Sequence, residues 1–437
     1  MFFESARPRS VRSARCRVAL VLSVLAVWLF GCSSSRVVDE PSLDAGQEGG
    51  IAGRRAIADD VLARKAIAYS GYRENQSPGT HRYPTADQVH EDLQLLIRGG
   101  WTFLRLFDCS QHAETVLKVI QENALDVKVL LGVWISGKKA IYDVENREQI
   151  EKCVSLSSTY RDVVVAVSVG NETLDDWSSV RVPPAELTDY IKEVRERVTQ
   201  PVTTDDMYLP FSLGVVGTTS YADVLQVLEA VDFLDVHVYA FIDARWSWEW
   251  RQLGTPEGPE RARAMMKAGL IYTEGAIRSV LAALYKHKLD LPILIGEAGW
   301  KTKNTRAFDD PDATYRAHPV NQKMYYDSLM SWVYGSTKDG LSPKGAFYFE
   351  AFDEPWKSED DAWGLFDVDR KAKYAIWDLF PDRKPANAPA YTEADAVYYK
   401  PAPPPADAGV NEGGAPDAST TDGPLDDAAP DATPTAD

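Results

Sequence analysis

The chain has 437 residues, enough for one large domain or two average ones with a substantial buried core. Its formal net charge is −18, so a polyanion such as nucleic acid is not expected as a partner. The charge is uneven: from Ala386 onward there are ten acidic residues and one lysine, a net −9 and thus half of the total.

The first 31 residues have the pattern of an export signal. Arginines from Arg7 to Arg17 precede an apolar run at residues 18–30 that is too short to span a bilayer as a mature helix. The run ends in Leu29-Phe30-Gly31-Cys32, which resembles a bacterial lipobox, whose cysteine is lipidated. We therefore predict an envelope lipoprotein, at the outer membrane or cell surface, held by a lipid on Cys32. Phe30 is bulkier than usual there, so secretion, a periplasmic location or an uncleaved anchor stays open.

Composition divides the rest of the chain into three parts. Residues 32–60 are mostly polar and Gly-rich without periodicity, which predicts a flexible tether. After residue 384 the chain is dominated by Ala, Pro, Asp, Gly and Thr, and too little apolar surface remains to offset the entropy cost of ordering it. We predict a folded domain over residues 61–384 and a disordered acidic tail over residues 385–437.

Strand and helix patterns alternate along the predicted domain. One helix begins with a capping box, Thr85-x-x-Gln88, and another begins at Pro183-Pro184. Apolar strand patterns lie at residues 66–69, 103–107, 128–134, 163–169, 202–204, 233–239, 293–295 and 346–349. This alternation predicts an α/β fold, a (β/α)8 TIM barrel. A doubly wound open sheet is the competing fold, but no phosphate-binding glycine motif follows the first strand.

Two predicted strands end in a glutamate. Glu172 follows strand four, and Glu297 lies at the end of strand seven. Active sites of such barrels lie at the C-terminal ends of the strands, so the two carboxylates are expected to face each other. The six histidines show no metal-binding spacing, and we predict neither a catalytic metal nor a cofactor. Paired carboxylates of this kind suit glycosidic bond cleavage, with a separation of about 5–5.5 Å for retention of configuration.

The sequence resembles glycoside hydrolase family 17, the β-1,3-glucanases and related transglucosylases, particularly the bacterial branch. The resemblance covers about residues 67–374. The matching motifs follow one another in order: Ile67-Ala-Tyr-Ser-Gly-Tyr-Arg73, Arg105-Leu-Phe107, Val169-Gly-Asn-Glu-Thr-Leu174, Val202-Thr-Thr204, Val236-His-Val-Tyr239, Ile295-Gly-Glu-Ala-Gly-Trp300 and Phe349-Glu-Ala-Phe-Asp-Glu-Pro-Trp-Lys357.

The resemblance implies roles for individual residues. Glu172 matches the proton donor and Glu297 the nucleophile. Asn171 matches an asparagine expected to bind the 2-hydroxyl of the sugar, and Tyr239 matches a tyrosine that holds the nucleophile.

Other positions are expected to bind substrate around these two glutamates. Glu354 and Lys357 match a pair near the catalytic centre. Tyr69 and Arg105 would line the mouth of the barrel. Three tryptophans are expected to offer faces for sugar stacking: Trp356, Trp134 and Trp300.

Some positions depart from the family pattern. Lys301 replaces a common proline, and Phe107 replaces a usual tyrosine. The run Arg245-Trp-Ser-Trp-Glu-Trp250 is unlike the plant enzymes; its tryptophans Trp246, Trp248 and Trp250 fit either a sugar platform or lid, or one side of a packed subdomain.

Two cysteines, Cys109 and Cys153, lie within the predicted domain. Export permits a disulfide between them, but two buried thiols are equally consistent with the sequence.

The leading functional hypothesis is a monomeric, envelope-anchored retaining hydrolase of β-1,3-glucan. One alternative is a transglucosylase that passes the same covalent intermediate to another sugar. A second alternative, from a different class, is a non-catalytic glucan-binding surface lipoprotein.

Overall fold

Eight parallel strands close into a barrel in the computed structural model, which describes residues 53–216, 219–243, 248–304, 314–335, 341–357 and 362–400. Each strand pairs with the next barrel strand along the chain, and the eighth pairs with the first. This confirms the predicted (β/α)8 barrel, because an open doubly wound sheet would leave two unpaired edge strands. The strands are β1 (Lys65–Ala68), β2 (Trp101–Leu106), β3 (Lys128–Val133), β4 (Val164–Asn171), β5 (Val202–Met207), β6 (Leu234–His237), β7 (Ile293–Ala298) and β8 (Ala346–Tyr348).

Helices connect the strands and cover the outside of the barrel. Helix α2 begins at the predicted capping box, in which Thr85 Oγ1 accepts from Gln88 N at 3.2 Å and Gln88 Oε1 accepts from Thr85 N at 3.0 Å. Among the described residues no helix has both the length and the apolar character needed to cross a bilayer. The α-helices are α1 (Asp59–Leu62), α2 (Ala86–Arg98), α3 (Gln111–Glu122), α4 (Lys139–Thr159), α5 (Pro184–Arg197), α6 (Tyr208–Phe211), α7 (Leu225–Ala230), α8 (Ala240–Asp243), α9 (Pro259–Lys286) and α10 (Pro319–Tyr334).

The segment before β1 closes the N-terminal end of the barrel. Ile57 and Val61 are buried against interior side chains of the strands, among them Phe103, Phe233 and Phe347. Arg55 donates to the carbonyl of Val198 at 2.6 Å. The folded part therefore begins by Gly53, and the tether predicted over residues 32–60 is too long. The polar composition gave no sign of this segment, because few apolar side chains, among them Ile57 and Val61, attach it to the barrel.

The folded part also extends past residue 384. Asn321 on α10 donates to the carbonyl of Val397 at 2.8 Å and accepts from its N–H at 3.1 Å, and Gly258 N donates to the hydroxyl of Tyr398 at 3.1 Å. The prediction of disorder is therefore wrong for residues 385–399, which a few side chains hold without a periodic pattern.

The chain divides after Tyr399 into two compact units, and only Lys400 of the second unit, residues 400–437, is described. The export signal, Cys32 and the rest of the predicted tail lie outside the described residues.

Both domain cysteines are buried free thiols. Cys109 Sγ donates to the carbonyl of Gly132 on β3 at 3.1 Å. The structure thus agrees with the thiol interpretation and not with a disulfide.

Candidate active site

Two glutamates and a histidine meet at the C-terminal end of the barrel. One carboxylate oxygen of Glu172, one of Glu297 and one ring nitrogen of His237 all lie within 4.8 Å of one another. His237 Nδ1 is 3.1 Å from Glu172 Oε1 and 3.8 Å from Glu297 Oε2. Carboxyl groups of retaining glycosidases are about 5–5.5 Å apart, whereas inverting ones need about 6.5–9.5 Å for a water molecule. The geometry therefore suits retention.

The backbone after β4 turns sharply to aim Glu172 at this centre. Glu172 has a φ of 50°, in the left-handed region that non-glycine residues seldom adopt. Its N–H donates to the carbonyl of Asp205 at 2.8 Å, and Asp206 accepts from the N–H groups of Thr173 and Leu174, both at 2.7 Å. These bonds from β5 hold a conformation that costs on the order of 1–3 kcal/mol. The predicted strand five ended at Thr204 and missed both aspartates.

The Glu297 carboxylate is held by one donor from strand β2 and one from the segment directly after β6. Arg105 Nη1 and the hydroxyl of Tyr239 both donate to it. Burial by itself would raise the pKa of Glu297, but His237, Arg105 and the Tyr239 bond together lower it below its usual value. Burial and the nearby charge of Glu297 raise the pKa of Tyr239 well above its usual value, so that its hydroxyl remains a donor. This arrangement keeps Glu297 ionised, as a nucleophile requires.

Glu172 has a more open environment than Glu297. The side chain of Glu172 is 23% exposed, against 6% for Glu297. An acid–base group must reach both the departing oxygen and an incoming water or hydroxyl, and the exposure of Glu172 meets that need.

Arg105 lies beneath the two glutamates. The prediction that it lines the barrel mouth is therefore wrong. Its side chain is 1% exposed. Nε donates to Asp205 Oδ2 at 2.8 Å, and Nη2 donates to Asn171 Oδ1 at 2.5 Å. Because a guanidinium only donates, the oxygen of the Asn171 amide must face it, which leaves the amide N–H groups for a ligand. The Phe107 ring packs against Arg105, with its centroid 4.8 Å from the guanidinium carbon.

A second charged cluster follows β8. Ser70 donates its hydroxyl to Glu354, and Lys357 contacts Glu354 and lies 3.2 Å from Glu350 Oε2. Burial would raise the pKa of Glu354, but Lys357 and the Ser70 bond lower it. The predicted Glu354 and Lys357 pair is thus present as an ion pair. Glu350 was missed, although it lies within the quoted motif.

The predicted tryptophans divide into exposed and buried ones. Trp134, directly after β3, is 40% exposed, and Trp356 is 41% exposed, so a large part of each ring is accessible to solvent. Trp177, five residues after Glu172, is 63% exposed and was missed. A lone tryptophan in the loop that follows a catalytic glutamate is the signal that could have identified it.

Trp300 and Tyr69 do not lie at the barrel mouth, where they were predicted to contact substrate. Trp300 is fully buried, packs against Trp248 and Tyr325, and donates from Nε1 to the carbonyl of Arg316 at 2.9 Å. Tyr69 is also buried and contacts Asp92 of α2 through its hydroxyl at 3.2 Å. Both predictions are wrong, because these side chains point into the layer between strands and helices and not into the barrel mouth.

The tryptophan run after β6 is described only in part. Trp248 is buried and donates to the carbonyl of Ala240 at 3.0 Å, as the packed-subdomain interpretation predicts. Trp246 and the side chain of Trp250 lie outside the described residues.

Among the described residues, Glu172, His237 and Glu297 also form a cluster that could hold a metal ion. Arg105 and Tyr239 already bind the Glu297 carboxylate, so a cation would have to compete with them.

An eight-stranded parallel barrel with two glutamates this close, at the ends of its fourth and seventh strands, defines the class of (β/α)8 glycoside hydrolases. Residues 66–369 match the BtgE/BtgC glycoside hydrolase domain, and the chain belongs to that family.

Similar proteins include two glucan glucosidases and an endo-laminarinase. A probable glucan endo-1,3-beta-glucosidase of Aspergillus clavatus is 27% identical over 317 residues, which cover 67% of this chain and 39% of that protein. The chain thus spans less than half the length of this relative. A glucan 1,3-beta-glucosidase of Arthroderma benhamiae is 27% identical over 294 residues, 64% of this chain and 80% of that protein. The crystal structure of an endo-laminarinase from Formosa Hel1_33_131 is 25% identical, with a TM-score of 0.66, and the match covers 75% of this chain and 90% of that one.

Proposed function

We propose that the protein is a retaining glycoside hydrolase that cleaves β-1,3-linked glucan. The observation that carries the proposal is the approach of Glu172, Glu297 and His237 to within 4.8 Å, with Glu297 held ionised by Arg105 and Tyr239. The names of the relatives from Aspergillus clavatus and Arthroderma benhamiae support β-1,3-glucan as the substrate.

In the first step Glu297 attacks the anomeric carbon while Glu172 gives its proton to the glycosidic oxygen. The bond to the departing sugar breaks, and a covalent glycosyl ester forms on Glu297. Arg105 and Tyr239 hold the attacking carboxylate in place from below. The free amide N–H of Asn171 is available for the 2-hydroxyl of the same sugar, a contact that strengthens in the transition state of such enzymes.

In the second step Glu172, now ionised, takes a proton from water. The resulting nucleophile attacks the anomeric carbon, and Glu297 leaves as a carboxylate, so the product keeps its β configuration. The greater exposure of Glu172 allows water to reach it.

The test is product analysis on laminarin with wild type, Glu297→Ala and Glu172→Gln. Loss of the nucleophile is expected to lower kcat/KM by about 10⁴-fold or more. Loss of the general acid is expected to cost about 10²–10⁴-fold, and less on an aryl glycoside whose leaving group needs no proton. Proton NMR of the first product should show the β anomer. An α anomer as the first product would contradict a retaining mechanism.

The same experiments separate the alternatives. Laminari-oligosaccharides longer than the substrate as main product would favour the transglucosylase over the hydrolase. Unchanged laminarin turnover in Glu297→Ala would contradict the proposed nucleophile. Absence of turnover in wild type, with laminarin still bound, would favour the glucan-binding lipoprotein.

We also propose that the enzyme acts as a monomer held at the bacterial envelope by a lipid on Cys32. Support comes from the arginine-rich and apolar leader and from the Gly31-Cys32 sequence at its end. Labelled palmitate should enter the wild-type chain in a bacterial host and not Cys32→Ser. Equal labelling of the two would contradict the anchor.

Light scattering of the domain without its leader should give the mass of a single chain.

A further inference from the structure

A layer of buried carboxyl groups lies directly beneath the catalytic centre. Asp205 on β5 and Asp235 on β6 are partners across neighbouring parallel strands. Their side chains are 2% and 0% exposed. Arg105 lies between them and the nucleophile: it binds Asp205 at 2.7 Å, contacts Glu297, and has its Nε 3.9 Å from Asp235 Oδ2. The mechanism above gives Asp235 no role.

The Asp235 carboxyl is packed against the strand that carries the nucleophile. A Cβ atom at Gly296 would lie 2.8 Å from Asp235 Cγ and 2.9 Å from its Oδ2, closer than carbon and oxygen atoms approach. Only glycine leaves room for the carboxyl at this position. Asp235 therefore lies against Gly296, the residue that precedes Glu297 on β7. At this short distance the charge of the Asp235 carboxyl acts electrostatically on the Glu297 carboxylate.

Hydrogen bonding in this layer is incomplete if all carboxyl groups are ionised. No N–H or O–H donor among the described residues reaches Asp235 Oδ1, Asp235 Oδ2 or Asp205 Oδ1, and all three atoms are buried. A buried carboxylate oxygen without a donor is strongly unfavourable, because it has lost its hydrogen bonds to water and gained none in the protein. A proton on one of the two aspartates turns one of these oxygens into a donor and another into its acceptor.

The charges in this layer also indicate that one of the carboxyl groups is protonated. Asp205, Asp235 and Glu297 would place three negative charges around the single positive charge of Arg105, in a layer nearly closed to water. Like charges at such distances do not all remain ionised. His237, whose ring also lies against Gly296, and Tyr239, whose hydroxyl binds Glu297, are further titratable groups facing this layer.

We propose that Asp205 and Asp235 share one proton at neutral pH, carried by Asp235 and donated to Asp205, and that this proton keeps Arg105 bound to Glu297. Burial, and after it the charge of Asp205, raises the pKa of Asp235 well above its usual value, in agreement with this assignment. Asp235 is thus a positioning residue, which acts on the nucleophile through Asp205 and Arg105. An ionised Asp235 would compete with Glu297 for the guanidinium. This role rests on the proposed function, whereas the presence of the proton does not.

The first test looks for the proton without any substrate. Infrared spectra of wild type and Asp235→Asn at neutral pH are compared, with and without carbon-13 label in the aspartate carboxyl groups. The wild-type spectrum should contain the carbonyl stretch of a neutral carboxylic acid that shifts with the label and that Asp235→Asn lacks. Identical spectra from the two proteins, apart from the amide band, would overturn the proposal.

The second test uses activity on laminarin. Asn at position 235 is neutral and can donate to Asp205 in place of the shared proton, so kcat/KM should stay within about 3-fold of wild type. Asp235→Ala removes the donor and should lower kcat/KM by about 10-fold or more, with the acid limb of its pH profile moved to higher pH. Loss of packing alone would also spare Asp235→Asn and impair Asp235→Ala, so Asp235→Leu, which has a branched shape like that of Asn but no donor, is the matched control. Asp235→Leu should lose activity as Asp235→Ala does, and near-wild-type activity in Asp235→Leu would contradict the positioning role.

The two tests also separate this proposal from the proposed function. If both variants unfold at wild-type temperatures and Asp235→Asn is as inactive as Asp235→Ala, the positioning role is wrong. If wild type turns over no glucan, the glucanase proposal fails, and the infrared comparison still decides whether the proton is present.

Discussion

At the scale of single residues, the reactivity of the site depends on how Glu297 is kept ionised in a buried position. Arg105, Tyr239 and His237 come from strands β2 and β6 and the segment directly after β6, and all three lie within contact range of this carboxylate. Only the hydroxyl of Tyr239 can be removed without changing the volume of the core or leaving a buried charge unpaired. Tyr239 is therefore the cleanest position at which to measure the contribution of one donor.

Tyr239→Phe is expected to move the acid limb of kcat/KM to higher pH. Burial raises the pKa of Glu297, and the Tyr239 bond is among the interactions that lower it. Without that bond the pKa rises, so a larger fraction of the nucleophile is protonated at low pH and activity appears only as the pH increases. The measurement is a pH profile of kcat/KM on laminarin. Tyr325→Phe, which removes a buried hydroxyl bound to Thr273, is the matched control and should leave the acid limb unchanged.

At the scale of strands and helices, most of the barrel could be predicted from the sequence. All eight strands and the capping box of α2 were predictable, because short apolar runs, a helical period of 3.6 and capping residues are local signals. The two glutamates were predictable because a strand end specifies one edge of the sheet. The direction in which the side chains of Trp300 and Tyr69 point could not be predicted, because it depends on which helix covers each strand.

The tryptophans that follow strands provide a second prediction. Trp134 is 40% exposed directly after β3, so Trp134→Ala should raise KM for laminari-oligosaccharides, with loss of stacking worth about 1–3 kcal/mol by analogy with other aromatic platforms. The unfolding midpoint of the Trp134→Ala variant should change little.

Trp300→Ala should instead lower stability by about 3–5 kcal/mol, because it opens a cavity between β7 and the helices. Kinetics and urea unfolding of both variants check this contrast, and an unchanged KM in Trp134→Ala would contradict a subsite there.

The buried charges around Tyr69 provide a third prediction. Asp92 binds Arg370 through two contacts of 2.7 Å and Arg73 through one of 3.0 Å, and so ties α2 to the segments after β1 and β8. Asp92→Ala leaves these cations without their partner and should cost about 3–5 kcal/mol in unfolding free energy. Tyr69→Phe removes one hydroxyl and should cost about 0.5–1.5 kcal/mol, with KM for glucan unchanged. A raised KM in Tyr69→Phe would restore Tyr69 as a substrate contact.

At the scale of the whole molecule, the domain is closed at one end and reactive at the other. Ile57 and Val61 fill the N-terminal end of the barrel, while the carboxylates occupy the C-terminal end. Both boundaries of the domain were predicted too close to the barrel itself, because composition averages over windows in which a few buried residues have little weight. The hydrogen bonds of Asn321 and Tyr398 are among the contacts that hold the segment after residue 384.

Truncation tests where the domain ends. A chain that stops after Lys400 should have the unfolding midpoint of the full domain, because the residues it lacks have the composition of a solvated tail. A chain that stops after Lys384 loses the partner of the buried Asn321 amide and the cover of Ala262 and Val320. One unsatisfied buried amide costs about 1–3 kcal/mol, and the newly exposed apolar surface adds to it. Thermal unfolding of the two truncated chains should therefore separate them by several degrees, and coincident curves would show that residues 385–399 add nothing to the stability of the barrel.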